Sequence, residues 1–202
     1  GEKTPGSGEL YAQTDRSKAL VLIAGFLENT FNKGTFDLRD KAVLAFDRTK
    51  ADRLELVSGA STLTFTKSGD VDWSMTKPFA GRGDFGAIDG ALAALTATQV
   101  QTFVAEDARD LKRYGLDTPA LTITVGTGGK TASLMIGGEA GGTRYARNSQ
   151  TGVIFTVGAN LLADLKKGAD EFRRKDLFDF RAFTGTRIEL VRGGETLTLD
   201  KV

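Results

Sequence analysis

The chain has 202 residues with no cysteine and no histidine, and its 27 basic residues nearly cancel its 26 acidic ones, leaving a net charge of +1. That balance supplies no phosphate-neutralising surface for nucleic acid, and the two missing residue types exclude disulfides, thiolate chemistry and imidazole as a base or metal ligand. Apolar residues at 40% and charged residues at 26% describe a globular chain, and the longest apolar run, ALVLIAGFL at 19–27, falls well short of the roughly 20 residues a bilayer span requires.

In chain order, the first clear hairpin begins at Arg53, where RLELV and TLTFTK alternate apolar and polar residues across SGAS. VDWSM at 71–75 reads as a short strand ending at the Lys77-Pro78 turn. Asp84 stands where it can cap a helix reaching about Thr96, with Phe85, Ile88, Leu92 and Leu95 on one apolar stripe. VQTFVA at 100–105 predicts a strand, and DARDLKRYG at 107–115 a short helix closed by a left-handed Gly115. ALTITV and TASLMIG form a second hairpin around GTGGK, and TRYARN and GVIFTV a third around SQTG. ANLLADLKKG at 159–168 predicts a helix ended by Gly168, with Leu161, Leu162 and Leu165 facing inward. Hairpins dominate and no series of βαβ units appears. The expectation is an α+β fold of mainly antiparallel sheet built from β-hairpins, with three or four short helices.

The chain also repeats itself. Shifting the sequence by 134 residues brings Tyr11-Ala12 onto Tyr145-Ala146, Leu27 onto Leu161 and Lys33-Gly34 onto Lys167-Gly168. Arg39, Lys41 and Phe46 fall on Arg173, Lys175 and Phe180, and RLELVSGASTLTFTK at Arg53 falls on RIELVRGGETLTLDK at Arg187. Seventeen of the 58 aligned positions are identical without an insertion, against roughly one in seventeen by chance. A period this long exceeds that of helix-pair solenoids and predicts a domain-sized tandem repeat. Residues 1–52 then read as the C-terminal part of a preceding unit, 53–186 as one complete unit and 187–202 as the start of the next, as in an excerpt from a longer tandem protein.

The candidate chemical motifs have plainer readings. GTGGKT at 126–131 lacks the first glycine of a phosphate loop, since position 124 is Thr, and both of its flanks read as strands. GGEAGG at 137–142 predicts a loop using positive-φ glycines. Asp107 and Asp110 share a predicted helix face beside Glu106 and could serve as an acid/base pair or a hard-cation site, as could the second acidic cluster at Asp170 and Glu171. The interleaved Arg109, Lys112 and Arg113 fit helix ion pairs. Lys166, Lys167, Arg173, Arg174 and Lys175 could meet anionic lipid or an acidic partner, although neighbouring carboxylates dilute them. Trp73, Phe79 and Tyr114 are the candidate ligand or partner contacts; no catalytic, cofactor or metal residue is assigned.

The succession DVDWSMTKPFAGRGDFGAIDGALAAL, DLKRYGLDTPALTITVG, LMIGG, RYARNSQTGVIFTV and EFRRKDLFDF resembles the bacterial domain-of-unknown-function family 4340. Its landmarks are Trp73 and Pro78 before the Asp84 helix, the YGLDTP turn at 114–119, the Ile136-Gly137 step, Tyr145, and the Arg-Lys stretch before Phe178 and Phe180. The resemblance implies a bacterial cell-envelope protein on the extracytoplasmic, periplasmic side of the inner membrane. It also implies an anchor absent from this chain, and a role as accessory to ABC-type transporters similar to gliding-motility systems.

The functional expectation is a non-catalytic extracytoplasmic repeat module that binds protein partners in such a transport complex, with edge strands open to self-association. A glycan- or peptide-binding module using exposed Trp73, Phe79 and Tyr114 is the alternative, and a carboxylate- or Lys-based hydrolase a distant third. A buried Trp73 would count against the second, and a cleft with convergent ionisable groups would favour the third.

Overall fold

The hairpin that opens at Arg53 forms as its alternation predicts. Strands β3 (Ala51–Ser58) and β4 (Ser61–Ser68) pair antiparallel, with Leu54 opposite Phe65 and Leu56 opposite Leu63 on the buried face. The computed structural model describes residues 3–4, 6, 8–176 and 184–201. Phe178 and Phe180, two of the family landmarks, lie outside the described residues.

Before this hairpin come β1 (Leu10–Ala12), β2 (Val21–Ile23), α1 (Phe26–Phe31) and α2 (Thr35–Leu38). After it come β5 (Asp72–Lys77), β6 (Gly81–Arg82), α3 (Phe85–Ala97), β7 (Thr102–Ala105), β8 (Leu121–Thr127) and β9 (Lys130–Ala140). The chain continues through β10 (Thr143–Asn148), β11 (Ile154–Gly158), α4 (Asn160–Leu165) and α5 (Ala169–Phe172), and ends in the hairpin β12 (Arg187–Arg192) and β13 (Glu195–Asp200). Nine strands make one antiparallel sheet in the order β6-β5-β4-β3-β8-β9-β10-β11-β7. The pairs β1–β2 and β12–β13 are each separate two-stranded sheets.

The α+β reading therefore holds. The described residues contain five α-helical segments where three or four were expected: α3 and α4 stand where helices were predicted, the six-residue α1 was not predicted, and α2 and α5 are single turns of four residues, too short to leave a periodic signal. Each turn is started by a carboxylate three residues on: the Gly34 amide donates to Asp37 Oδ2 at 2.9 Å, and the Gly168 amide to Glu171 Oε2 at 2.6 Å. Gly168 thus opens a helix; α4 has already ended at Leu165. Asp84 caps α3 by accepting from the Ala87 amide at 2.7 Å, and Ile88, Ala91, Leu92 and Leu95 form the buried stripe, whereas Phe85 is exposed.

Two local expectations fail. Residues 107–115 form no α-helix, only a 3-10 turn at Lys112–Tyr114 before Gly115 at φ 63°. The segment offers only Ala108 and Leu111 as apolar residues before Tyr114, too little for a helix to bury as a stripe. Of the GGEAGG glycines, only Gly141 and Gly142 take positive φ, in the β9–β10 turn. Gly137 and Gly138 lie within β9 because the Tyr114-Gly115 backbone crosses them: a Cβ on Gly137 would sit 2.5 Å from the Tyr114 carbonyl oxygen.

α3 lies at the centre of the core, sharing it with Leu54, Leu56, Leu63 and Phe65 of the first hairpin, Ile123 and Val125 of β8, and Phe172 of α5. It also joins the two edge strands. Trp73 and Met75 of β5 and Phe155 and Val157 of β11, near opposite ends of the sheet, share one core with α3. Packing also begins earlier than the repeat boundary at Arg53, since Val43, Leu44 and Ala51 belong to the same core.

Candidate functional site

The three aromatic residues singled out from sequence do not form a platform. Trp73 is 5% exposed and sits in the core, which rules out a ligand-stacking role for its indole. The pattern of β5 explains this: Trp73 and Met75 point inward, while Asp72, Ser74 and Thr76 point outward. Phe79 is exposed in the β5–β6 turn, with the Arg173 guanidinium 5.8 Å from its ring centroid. Tyr114 packs edge-on against Tyr145 at 5.1 Å, where the 3-10 turn crosses β9.

Several members of the charged clusters make structural contacts. Glu106 does not pair along a helix but receives both Arg39 guanidinium nitrogens, at 2.5 and 3.2 Å. The same guanidinium lies 3.5 Å from the Phe103 ring centroid, Phe103 meets Phe36 edge-on at 5.7 Å, and Lys41 Nζ stands 4.9 Å over Phe36. This cluster fastens α2 to β7. Directly after it, Asn148 Nδ2 donates to the Val43 carbonyl and Gln150 Nε2 to the Ala45 carbonyl, which holds the incoming strand against the β10–β11 turn. In the basic set, Arg173 pairs with Asp170 at 3.6 Å and Arg174 with Asp176 at 2.8 Å, while the Arg174 amide donates to the Arg82 carbonyl at the β6 edge. Asp47 has its carboxyl held below the usual aspartate value, chiefly by the Thr49 hydroxyl and then by the Thr49 amide.

The surface that sequence reasoning did not single out is apolar, and it lies on the two terminal pieces. The four residues Ile188, Leu190, Leu197 and Leu199 make one face of the β12–β13 hairpin, and all are more than half exposed. At the N-terminal end Leu20, Leu22, Phe26, Phe31 and Leu38 are equally open. Most of them have buried apolar counterparts 134 residues away, although Leu22 falls on Thr156 and Phe26 on the exposed Asn160. Leu190 is 54% exposed and its counterpart Leu56 3%; Leu38 is 75% exposed and its counterpart Phe172 1%. The backbone agrees with the side chains. All six cross-strand pairs of β12–β13 reproduce those of β3–β4 at this offset, and the three pairs of β1–β2 reproduce pairs of β10–β11. Helices α1 and α2 have the same bounds as α4 and α5 after the shift, and the residues ending α1 and α4, Asn32 and Lys166, share φ/ψ of −82°/66° and −83°/67°. The signal for this surface was present in the sequence as the likeness between segments 134 residues apart.

No curated protein matches the chain, and neither does any solved structure. The family model DUF4340, described as a domain of unknown function, matches it twice, over residues 1–84 and 73–202. Between them the two matches take in the whole chain, which thus belongs to the DUF4340 family of domains of unknown function.

Proposed function

We infer that this chain is a non-catalytic interaction module, built as part of a tandem array of 134-residue units. It works on the extracytoplasmic side of a bacterial envelope, where it contacts protein partners in an ABC-type transport complex. One observation carries the modular reading: the same apolar positions are buried in the nine-stranded unit and exposed in the terminal pieces, in matching strand register. Surfaces of that kind are made to be covered by polypeptide, and repeating a unit multiplies contact surface and reach without a new fold. The envelope and transporter setting rests on the family resemblance. The glycan-platform alternative loses its central residue with Trp73 in the core.

The reading is tested by exporting the tagged chain to the periplasm of a bacterium carrying such a transporter, crosslinking, and solubilising the envelope. The membrane subunits of the transporter should co-purify with the tag and be identified by mass spectrometry. Recovery of the chain without any of them, under conditions that keep the transporter itself intact, refutes the assignment.

A further inference from the structure

We propose that the apolar face and open edges of β12–β13 form the docking site for a polypeptide with the pattern of residues 69–176 of this same chain, that is, the remainder of one further unit. The inference rests on the modular reading above and deepens it by naming the occupant. In the nine-stranded unit, β3 has β8 on its outer edge and β4 has β5 on its own. The inward side chains of the pair, Leu54, Leu56, Leu63 and Phe65, share a core with Ile88, Leu92 and Leu95 of α3. Phe172 of α5 also packs on Phe65, with ring centroids 5.4 Å apart.

The hairpin β12–β13 has the same register and the same inward set, in Ile188, Leu190, Leu197 and Leu199, and among the described residues pairs only with itself. Its other face is polar except for Val191, with Arg187, Glu189, Thr196, Thr198 and Asp200 standing where β3–β4 has Arg53, Glu55, Thr62, Thr64 and Thr66. A one-sided apolar hairpin with both edges free fits a strand like β8 on β12, a strand like β5 on β13, and a helix like α3 across the four apolar side chains. A membrane surface would satisfy the apolar face but would leave both backbone edges unpaired.

The test extends the intact chain. Val202 aligns with Ser68, so residues 69–176 are appended directly after it, and hydrogen exchange is followed at the amides of 187–200. Docking predicts that these amides slow at least 100-fold relative to the 202-residue chain and exchange in step with the appended segment. It also predicts that Leu190→Asp with Leu197→Asp abolishes the protection in the extended chain while leaving the melting of the nine-stranded unit unchanged in the original. Exchange at 187–200 as fast as in the unextended chain overturns the proposal, as does protection that survives the two aspartates. Concentration-dependent dimerisation of the original chain through the same four side chains would overturn it in favour of a second copy. None of these outcomes depends on the transporter, so failure here and failure of the envelope reading are separable.

Discussion

Two leucine pairs separated by 134 residues allow the exposure pattern to be measured directly. Leu56 and Leu63 face each other in the core, and Leu190 and Leu197 face each other on the terminal hairpin. Leu→Ala removes three carbons, worth about 2.4 kcal/mol at roughly 0.8 kcal/mol per buried group. The unrelaxed cavity raises the expected cost of Leu56→Ala or Leu63→Ala to about 3–4 kcal/mol. At Leu190 and Leu197 about half of each side chain already faces water, which caps the transfer loss near 1 kcal/mol. The terminal hairpin is hydrogen-bonded to no other strand, so little of that loss enters the unfolding of the nine-stranded unit and roughly 0–0.5 kcal/mol should be seen. Urea unfolding of the four variants, read by the fluorescence of the buried Trp73, compares them on one scale. Equal costs at Leu56 and Leu190 would refute the argument, because they would mean that the terminal hairpin is already part of a core.

Outcomes at four further residues follow from local geometry. Gly137→Ala should cost about 1–3 kcal/mol, because the added methyl meets backbone oxygen rather than a movable side chain; thermal melts check it. Gly90→Ala, in α3 with nothing within 4 Å of the new Cβ, should stabilise by about 0.5–1 kcal/mol in the same assay. Arg39→Ala should speed hydrogen exchange across residues 34–42 while moving the global unfolding midpoint by no more than about 1 kcal/mol, since the ion pair with Glu106 is largely exposed. Arg39→Lys should restore little, because it supplies neither the two-nitrogen grip nor the flat group over Phe103. Asp47 has a lowered folded pKa, so its contribution is full above the unfolded value near 3.8 and is lost as pH falls through the folded value. Asp47→Asn should therefore lower the melting temperature slightly at neutral pH, where that contribution is full, and flatten the acid limb of the profile so that the two proteins converge below the folded value.

The hairpins, the Asp84 cap and the Gly115 turn were legible because each is encoded by residues adjacent in sequence. Trp73 was legible too, through its alternation with Asp72 and Ser74, but an unusual residue type drew the reading towards function. What could not be read was long-range. Nothing near Glu106 announces Arg39, 67 residues away, and nothing in GGEAGG tells that the Tyr114 backbone will lie across two of its glycines. The single-turn helices α2 and α5 were missed because one turn has no period. Open edge strands were expected, but not which apolar side chains would be exposed, because pattern alone cannot distinguish Leu56 from Leu190.

The ports of the nine-stranded unit have a mechanical meaning. The chain arrives beside the β7 end, where the Val100 amide donates to the Lys41 carbonyl, and departs along β6, where Arg173 bridges to Gly83. Tension between those ports acts across the strands, loading their hydrogen bonds one after another rather than all together. A sheet pulled in this direction peels at low force, and the two-residue strand β6 is the place to start. α3 lies between the two ports and is tied to each only by such hydrogen bonds, so no covalent shortcut shields the sheet from that load.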